Sequence, residues 1–206
     1  MNSAIIVVSG LPRSGTSLMM QMLDLGGVPV VTDNVRTADP DNPRGYYEFE
    51  PVKKIKEDAS WLPATRGKAF KMVSQLLYDL PATEKYRIVF MERDLDETLV
   101  SQEKMLQRLG RQSAPRADVK RAYLLHLERL RAWLEQQSYL AVLRIGYRDL
   151  ISQAEDKARQ IEAFLGEPLA IARMVTAVDP SLYRNRVTAR DSAAAAFVGS
   201  PTVPPA

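Results

Sequence analysis

The sequence feature that most constrains the fold is a short apolar run that leads directly into a loop bounded by glycines. Residues 4–9 are rich in β-branched side chains and show no polar alternation, which is typical of a strand buried on both faces of a parallel sheet. Residues 10–17 end this run, and from Thr16 apolar residues recur at helical spacing until the glycine pair at 26–27. A buried strand, a tight loop and a helix in this order predict an α/β architecture.

The rest of the chain repeats this alternation of strand and helix. Apolar, β-branched runs predict strands at residues 28–31, 68–73, 86–91 and 140–145. Helical periodicity predicts helices at about residues 51–58, 94–109, 116–137 and 151–165. We therefore expect a three-layer, P-loop-type α/β fold in which a central, mainly parallel sheet is flanked by helices.

Length and composition indicate one domain. The chain has 206 residues, which is enough for a single sizeable core, and we assign residues 1–187 to this domain. Residues 188–206 are rich in alanine, serine and proline, and we expect this tail to be poorly ordered. The chain contains no cysteine, which excludes disulfides and thiolate metal sites and favours a cytoplasmic location.

Charge and hydropathy narrow the classes of partner. The net charge of +3 suits an anionic ligand, but it is too small to indicate nucleic-acid binding. No apolar stretch approaches the roughly 20 residues that a transmembrane helix needs, so we expect no membrane span. The sequence predicts no particular oligomeric state.

The loop at residues 10–17, Gly-Leu-Pro-Arg-Ser-Gly-Thr-Ser, has the phosphate-binding spacing G-x-x-x-x-G-x-[ST]. Its glycines allow a tight turn in which successive backbone N–H groups point at one anion, and the following helix N-terminus adds partial positive charge. The hydroxyls of Ser14, Thr16 and Ser17 supply further donors. Thr16 replaces the lysine with which nucleotide triphosphatases contact the β- and γ-phosphates, whereas a cation, Arg13, lies inside the loop.

Residues 12–18, Pro-Arg-Ser-Gly-Thr-Ser-Leu, resemble the 5′-phosphosulfate loop of the sulfotransferases that use 3′-phosphoadenosine-5′-phosphosulfate (PAPS). The tyrosylprotein sulfotransferases have a particularly similar loop. The resemblance implies PAPS as co-substrate, its product 3′-phosphoadenosine-5′-phosphate (PAP), and transfer of the sulfuryl group to an acceptor hydroxyl or amine. It implies that the 5′-phosphate is held by Pro12, Arg13, Ser14, Gly15, Thr16 and Ser17. Arg13 would also stabilise the departing phosphate at the bridging oxygen.

A second segment resembles the 3′-phosphate motif of the same family. In that motif an arginine ends a strand and a serine follows eight residues later on the next helix; here these residues are Arg93 and Ser101. A strand-end arginine and a serine in the second helical turn can converge on one phosphate. Taken alone, Arg93 is equally compatible with a surface ion pair to Asp94 or Asp96.

A third match lies late in the chain. Residues 142–150 and 161–166 resemble the family's late strand, its Y-E-D-L corner and its I-x-x-F-L-G helix end. The resemblance places Tyr147 near the adenine, although a core aromatic residue at a strand end is an equally good interpretation of this residue alone. The family often closes the donor site with late basic residues, which implies a contact from Arg184 or Arg186 to the 3′-phosphate.

The general base is the part of the site that the resemblance leaves open. Many family members place a catalytic histidine two residues after a lysine on a central strand; here Lys71 is present and Val73 takes the histidine position. The resemblance implies that Lys71 stabilises the leaving phosphate or the transferring sulfuryl group. His126 is the only histidine and lies between apolar neighbours in a predicted helix, so we assign it a structural role.

Other family members use a glutamate as base, and Glu48 is our candidate. It lies in the segment Gly-Tyr-Tyr-Glu-Phe-Glu at residues 45–50, where aromatic neighbours can desolvate a carboxylate. A surface acid near a helix start is the alternative interpretation, and Glu50 and Asp33 are the other candidates. We expect no metal ion to be required, because the transferred sulfuryl group carries less charge than a phosphoryl group.

Two other functions fit the same motifs. A P-loop kinase for a small metabolite or nucleotide shares the architecture, although the missing loop lysine disfavours it. A non-catalytic module that retains the loop for an anion is compatible with the missing histidine. The kinase predicts magnesium-dependent ATP binding, and the module predicts binding of the donor without turnover.

Overall fold

The computed structural model describes residues 4–33 and 45–183, and four strands within these ranges form one sheet. The strands are β1 (Ile5–Gly10), β2 (Ala69–Lys71), β3 (Tyr86–Glu92) and β4 (Leu140–Gly146). They lie in the order β2-β1-β3-β4, and every neighbouring pair is parallel. The predicted α/β fold with a parallel sheet is confirmed.

Helices connect the strands and cover the sheet. The α-helices are α1 (Thr16–Gly26), α2 (Leu95–Arg108), α3 (Arg116–Leu134), α4 (Tyr147–Ser152), α5 (Ala154–Leu165) and α6 (Ile171–Thr176). Short 3-10 helices span Glu50–Lys54, Leu62–Thr65, Ser74–Asp79 and Pro180–Leu182. Within the described residues, no helix combines the length and apolar character needed to cross a membrane.

The central strand β1 explains the three layers. All six of its residues are buried, and its side chains point alternately to the two faces of the sheet. Ile6 and Val8 pack into a cluster with residues of α1, α5 and α6, whereas Ile5 and Val7 pack into a second cluster with residues of α3. Fully burying an aliphatic side chain of this size stabilises the fold by about 1.5–3 kcal/mol, so both faces of β1 hold the layers together.

Parallel pairing places the carboxyl ends of the strands at one edge of the sheet. Gly10 at the end of β1 pairs with Met91, and Glu92 at the end of β3 pairs with Gly146 at the end of β4. The loop after β1, the turn into α2 and the start of α4 therefore meet at this edge. Such an edge is where open α/β sheets bind their ligands.

Some elements differ from the sequence prediction. Residues 28–31 form only an isolated bridge, Val30 to Ala69, in which Pro29 has no backbone N–H to donate. The predicted helix at 51–58 is a 3-10 helix, Glu50–Lys54. The predicted helix at 151–165 is divided into α4 and α5, because Gln153 adopts an extended φ of −135° between them. Asp94 caps the N-terminus of α2, where its side chain accepts a hydrogen bond from the Glu97 N–H.

Candidate active site

The loop at residues 10–17 lies at the carboxyl edge and leads into the N-terminus of α1. Gly15 immediately precedes α1 with a φ of 103°, a conformation that side-chain-bearing residues rarely adopt. A Cβ added to Gly15 would lie 2.4 Å from Cδ2 of Tyr147. The loop therefore packs so closely against Tyr147 that only glycine fits, and this contact joins the first and last of the three predicted motifs.

Ser14 presents an unusual buried hydroxyl. Ser14 is 2% exposed, and its Oγ atom has no hydrogen-bond partner among the described residues. An unsatisfied buried polar group costs about 1–3 kcal/mol, so a ligand atom that bonds this hydroxyl would recover that free energy. The observation fits the anion expected in the loop.

Arg13 and Arg93 bring the loop and the second motif together. The Arg13 Nε donates a hydrogen bond of 3.1 Å to Oγ of Ser101, which lies 88 residues away on α2. One terminal nitrogen of Arg93 donates to the Arg13 carbonyl oxygen at 3.3 Å. Arg13 itself has a φ of 70°, which is uncommon outside glycine and is often associated with functional sites.

Arg93 is enclosed by three further side chains. Its Nε lies 3.1 Å from a carboxylate oxygen of Glu97, and both side chains are at most 8% exposed. The guanidinium carbon lies 4.5 Å from the centre of the Tyr147 ring and 5.4 Å from that of Tyr183. The Tyr183 hydroxyl donates a hydrogen bond of 2.7 Å to the other Glu97 oxygen. Arg93 is thus a buried cation that pairs with Glu97 and not a surface residue, and Asp96 pairs with Lys120.

Glu97 and Tyr183 are site residues that sequence reasoning missed. Glu97 lies four residues after Arg93, in the first turn of the helix that follows, so the two opposite charges are close in the sequence and the signal was present there. Tyr183 lies 86 residues away from Glu97, and no local pattern points to it. Burial, together with the hydrogen bond to the Glu97 carboxylate, raises the pKa of Tyr183 to about 12, so its hydroxyl remains a donor at neutral pH.

Lys71 reaches the loop from the neighbouring strand. Its Nζ donates to Oγ of Ser17 at 3.3 Å and also to the carbonyl oxygen of Tyr46. Ser17 Oγ in turn donates to the same carbonyl at 3.3 Å. The structure thus brings the predicted Lys71 to the start of α1, and it ties the segment after Gly45 to the loop.

The three candidate bases lie together: Glu48 and Glu50 are in this segment, and Asp33 is beside it. The Glu48 carbonyl accepts hydrogen bonds from the Thr32 hydroxyl at 3.0 Å and from the Asp33 N–H at 3.1 Å. An Asp33 carboxylate oxygen accepts from the Glu50 N–H at 2.6 Å. The Lys53 Nζ lies 2.5 Å from the Glu50 carboxylate and 3.9 Å from that of Glu48, whose side chain is 21% exposed. The Glu48 carboxylate is the more buried of these two glutamates.

His126 and Val73 lie at the segment that follows β2. The Nε2 of His126, on α3, is 2.9 Å from Oγ of the buried Ser74, and burial lowers the pKa of the imidazole. Val73 is 41% exposed. A half-buried histidine held by a core serine agrees with the structural role that we assigned to it.

A pocket of about 460 Å³ adjoins the loop, a volume typical of sites for small organic molecules. Leu11, Ser14 and Arg93 line the side of the pocket toward the loop, and apolar side chains of β3 and α3 line much of the rest. The ion pair of Glu92 and Arg144, at 2.9 Å, also contributes to its wall. Arg184, Arg186 and the tail at 188–206 lie outside the described residues.

A parallel sheet whose first strand runs into a loop of this spacing defines a P-loop-type α/β protein. A family model described as the sulfotransferase domain matches residues 4–186, and the chain belongs to the sulfotransferase family. The protein is accordingly a transferase, and the predicted family is confirmed. No curated protein matches the chain significantly.

Solved structures share this fold at low sequence identity. A sulfotransferase from Alicyclobacillus acidocaldarius is 16% identical, with a TM-score of 0.53, over 96% of this chain and 92% of that one. A mouse sulfotransferase complexed with PAP is 18% identical, with a TM-score of 0.53, over 91% and 68% of the two chains. Retinol dehydratase in complex with androsterone and inactive cofactor PAP is 17% identical, with a TM-score of 0.51, over 87% and 65%.

Proposed function

We propose that the protein transfers a sulfuryl group from PAPS to an acceptor hydroxyl or amine. The observation that carries this proposal is the convergence at one sheet edge of the loop, Arg93 and Ser101, linked by the hydrogen bonds of Arg13. The mouse sulfotransferase and retinol dehydratase share the fold and were solved with PAP, which supports the assignment of this nucleotide to the proposed site.

The described residues fit an anionic nucleotide. In the proposed complex, the 5′-phosphate is bound by backbone N–H groups and hydroxyls of residues 12–17, including the unpartnered Ser14 Oγ. Arg93 and Ser101 bind the 3′-phosphate, and Tyr147 lies beside the adenine. We also propose that Arg184 or Arg186 contacts the 3′-phosphate. Bound PAPS supplies the sulfuryl group and departs as PAP.

The catalytic roles follow from where charge changes during transfer. Negative charge grows on the leaving phosphate oxygen, and cations near it lower the barrier. Arg13 lies in the loop and Lys71 contacts it, and both are proposed for this role. The acceptor must lose a proton as its oxygen or nitrogen bonds to sulfur. Glu48 is proposed to receive this proton. A metal ion is not required in this scheme, and a cytoplasmic location remains a prediction.

The competing kinase function is disfavoured by a specific substitution. Thr16 occupies the position of the lysine that contacts the terminal phosphates of ATP in P-loop enzymes. The buried arrangement around Arg93 instead provides a cation at a second place, beyond the loop. A nucleotide with phosphates at both its 5′ and 3′ positions matches two separate cationic places better than a triphosphate does.

Calorimetric titration with PAP and, separately, with ATP and magnesium tests the proposal. We expect the wild-type protein to prefer PAP, and we expect Arg93→Ala to lose at least about tenfold of its PAP affinity, because a charge-assisted contact to phosphate is removed. Lys120→Ala is the matched control: it removes a cation that pairs with Asp96 at 2.7 Å, outside the proposed donor contacts. Preference for ATP with magnesium would instead support a kinase, and binding of neither nucleotide would contradict the donor assignment.

A further inference from the structure

We infer that Glu97 and Tyr183 are positioning residues that orient the Arg93 guanidinium and thereby make the donor site selective for a nucleotide with a 3′-phosphate. The inference rests on the proposed function and adds two residues to it. The family resemblance assigned no role to either residue, although Glu97 lies between Arg93 and Ser101 in the second motif. Both act through Arg93, so neither is assigned a catalytic role.

Arg93 is held from several directions. Its Nε is fixed by a Glu97 oxygen at 3.1 Å, and one of its terminal nitrogens is fixed by the Arg13 carbonyl at 3.3 Å. The Tyr147 ring lies against the guanidinium at 4.5 Å. A planar guanidinium recognises phosphate through directed N–H groups, so its orientation determines how well it binds.

Glu97 is itself held in place by its neighbours. Its backbone N–H is bonded to the Asp94 side chain at 3.0 Å, which fixes the first turn of α2. Its two carboxylate oxygens are divided between two donors, Arg93 and the Tyr183 hydroxyl. Glu97 is 5% exposed, so the loss of either donor leaves a buried carboxylate oxygen with one bond fewer.

Tyr183 contacts the ion pair and the ring of Tyr147 at the same time. Its hydroxyl bonds Glu97 at 2.7 Å, and its ring lies 5.4 Å from the Arg93 guanidinium. The same ring meets Tyr147 edge to face, with centres 5.3 Å apart and planes at 89°. Because Tyr183 follows the 3-10 helix Pro180–Leu182, this contact joins the late part of the chain to the donor site.

Two physical models make opposite predictions for Glu97. If Glu97 orients Arg93, its removal weakens binding of a 3′-phosphate. If Glu97 instead competes with the phosphate for the Arg93 charge, its removal strengthens that binding. The hydrogen bonds that Glu97 accepts from two different donors favour the orientation model. The variant Glu97→Gln separates geometry from charge, because a glutamine could still accept from Arg93 and donate to the Tyr183 oxygen while carrying no charge.

The experiment titrates PAP and adenosine 5′-phosphate, which lacks the 3′-phosphate, into the full-length protein and its variants. For Glu97→Ala we expect PAP affinity to fall about tenfold, the size of one charge-assisted contact, while affinity for adenosine 5′-phosphate stays within about twofold. For Glu97→Gln we expect the preference for PAP to be retained. Unchanged binding of the second nucleotide shows that the loop and the fold are intact.

Tyr183→Phe provides a milder variant, because it removes only the hydroxyl that holds Glu97. We expect a selective loss of PAP affinity of about threefold to tenfold, the range of one hydrogen bond. Tyr139→Phe is the control, since its hydroxyl bonds the Leu80 carbonyl at 3.2 Å, far from the loop.

The possible outcomes distinguish the positioning role of Glu97 and Tyr183 from the donor site itself. A Glu97→Ala protein that binds PAP more tightly, or a Tyr183→Phe protein with an unchanged preference for PAP, would overturn the positioning role while leaving the donor site in place. A wild-type protein that binds both nucleotides equally would instead overturn the assignment of the 3′-phosphate site, and this inference with it.

Discussion

At the scale of single residues, the proposed mechanism depends on which carboxylate receives the acceptor proton. Glu48 and Glu50 lie two residues apart and both approach Lys53. The Glu48 side chain is 21% exposed and that of Glu50 is 50% exposed, so Glu48 has lost more of its water. Glu48 is also two residues from Tyr46, whose carbonyl is bonded by Ser17 and Lys71, and this position near the loop favours Glu48 as the base.

Exchange of these glutamates tests this assignment. We expect Glu48→Gln to reduce turnover by about 100-fold or more, the contribution typical of a general base, while PAP binding is retained. Glu50→Gln removes a neighbouring carboxylate with the same lysine partner and should change turnover little. PAP release in the presence of an acceptor found by screening measures both variants. Turnover of Glu48→Gln at the wild-type rate would exclude Glu48 as the base.

Individual residues also show where sequence reasoning reached its limit. That Arg93 and Ser101 lie near one another was predictable, because a strand end and the following helix are close in the sequence; their contact with a 3′-phosphate stays a prediction. The hydrogen bond between Arg13 and Ser101 spans 88 residues, and only the folded chain reveals it. Tyr183 was missed for the same reason: its partners are set by tertiary packing and by no periodic pattern.

At the scale of elements, the unit of β1, loop and α1 combines backbone conformation with packing. Two glycines in this unit separate these effects. Gly15 and Gly27 have similar φ values, 103° and 97°, at the two ends of α1. A Cβ at Gly15 would meet the Tyr147 ring at 2.4 Å, whereas at Gly27 it would meet nothing within 4 Å.

Alanine substitution at the two glycines therefore isolates the cost of the contact with Tyr147. We expect both variants to lose about 1–2 kcal/mol of unfolding free energy from the left-handed backbone. Gly15→Ala should lose about 1–3 kcal/mol more through overpacking and should also lose PAP affinity. Urea unfolding and calorimetric titration measure the two effects. Equal losses of stability and normal PAP binding in both variants would show that the approach of Tyr147 is not required.

The elements themselves were largely predictable where periodicity is strong. The strands β1, β3 and β4 and the helices α1, α2 and α3 follow from runs of apolar residues and their spacing. The sequence prediction failed at short segments, where tertiary contacts decide the conformation. The pattern of residues 28–31 predicts a strand, but they pair only through Val30. The break between α4 and α5 at Gln153 is not marked by a glycine or a proline in the sequence.

At the scale of the whole molecule, the two edges of the sheet differ: one carries the candidate site and the other carries a structural ion pair. The carboxyl edge gathers the loop, Arg93 and Tyr147, whereas the amino edge carries an ion pair that joins the approaches to β2 and β3. There, Arg66 donates to both carboxylate oxygens of Glu84, at 2.8 and 2.5 Å. The Glu84 side chain is only 7% exposed, so this pair contributes to stability at a distance from the proposed chemistry.

The pH dependence of stability can therefore be separated from binding. The hydrogen bonds from Arg66 lower the pKa of Glu84 below its ordinary value of 4.5, and burial opposes this effect only in part. A carboxylate with a lowered folded-state pKa stabilises the fold fully above the unfolded-state value, and this stability is lost as the pH falls through the folded-state value. The stabilisation from Glu84 should thus be constant from neutral pH down to about 5 and should disappear progressively below about 4.5.

Glu84→Gln tests this link between the amino edge and acid stability. At pH 7 we expect a lower urea midpoint than for the wild type, because Arg66 loses its ionic partner, and this difference should shrink as the pH falls below about 4.5. PAP affinity at pH 7 should be unchanged, since the site lies at the opposite edge of the sheet. Glu155→Gln is the matched control: its pair with Arg159 is more than 60% exposed on both sides, and such pairs contribute little. A difference between Glu84→Gln and the wild type that persists undiminished at pH 3 would show that ionisation of Glu84 is not the source of the stabilisation, whereas a loss of PAP affinity would show that the two edges are coupled through the sheet.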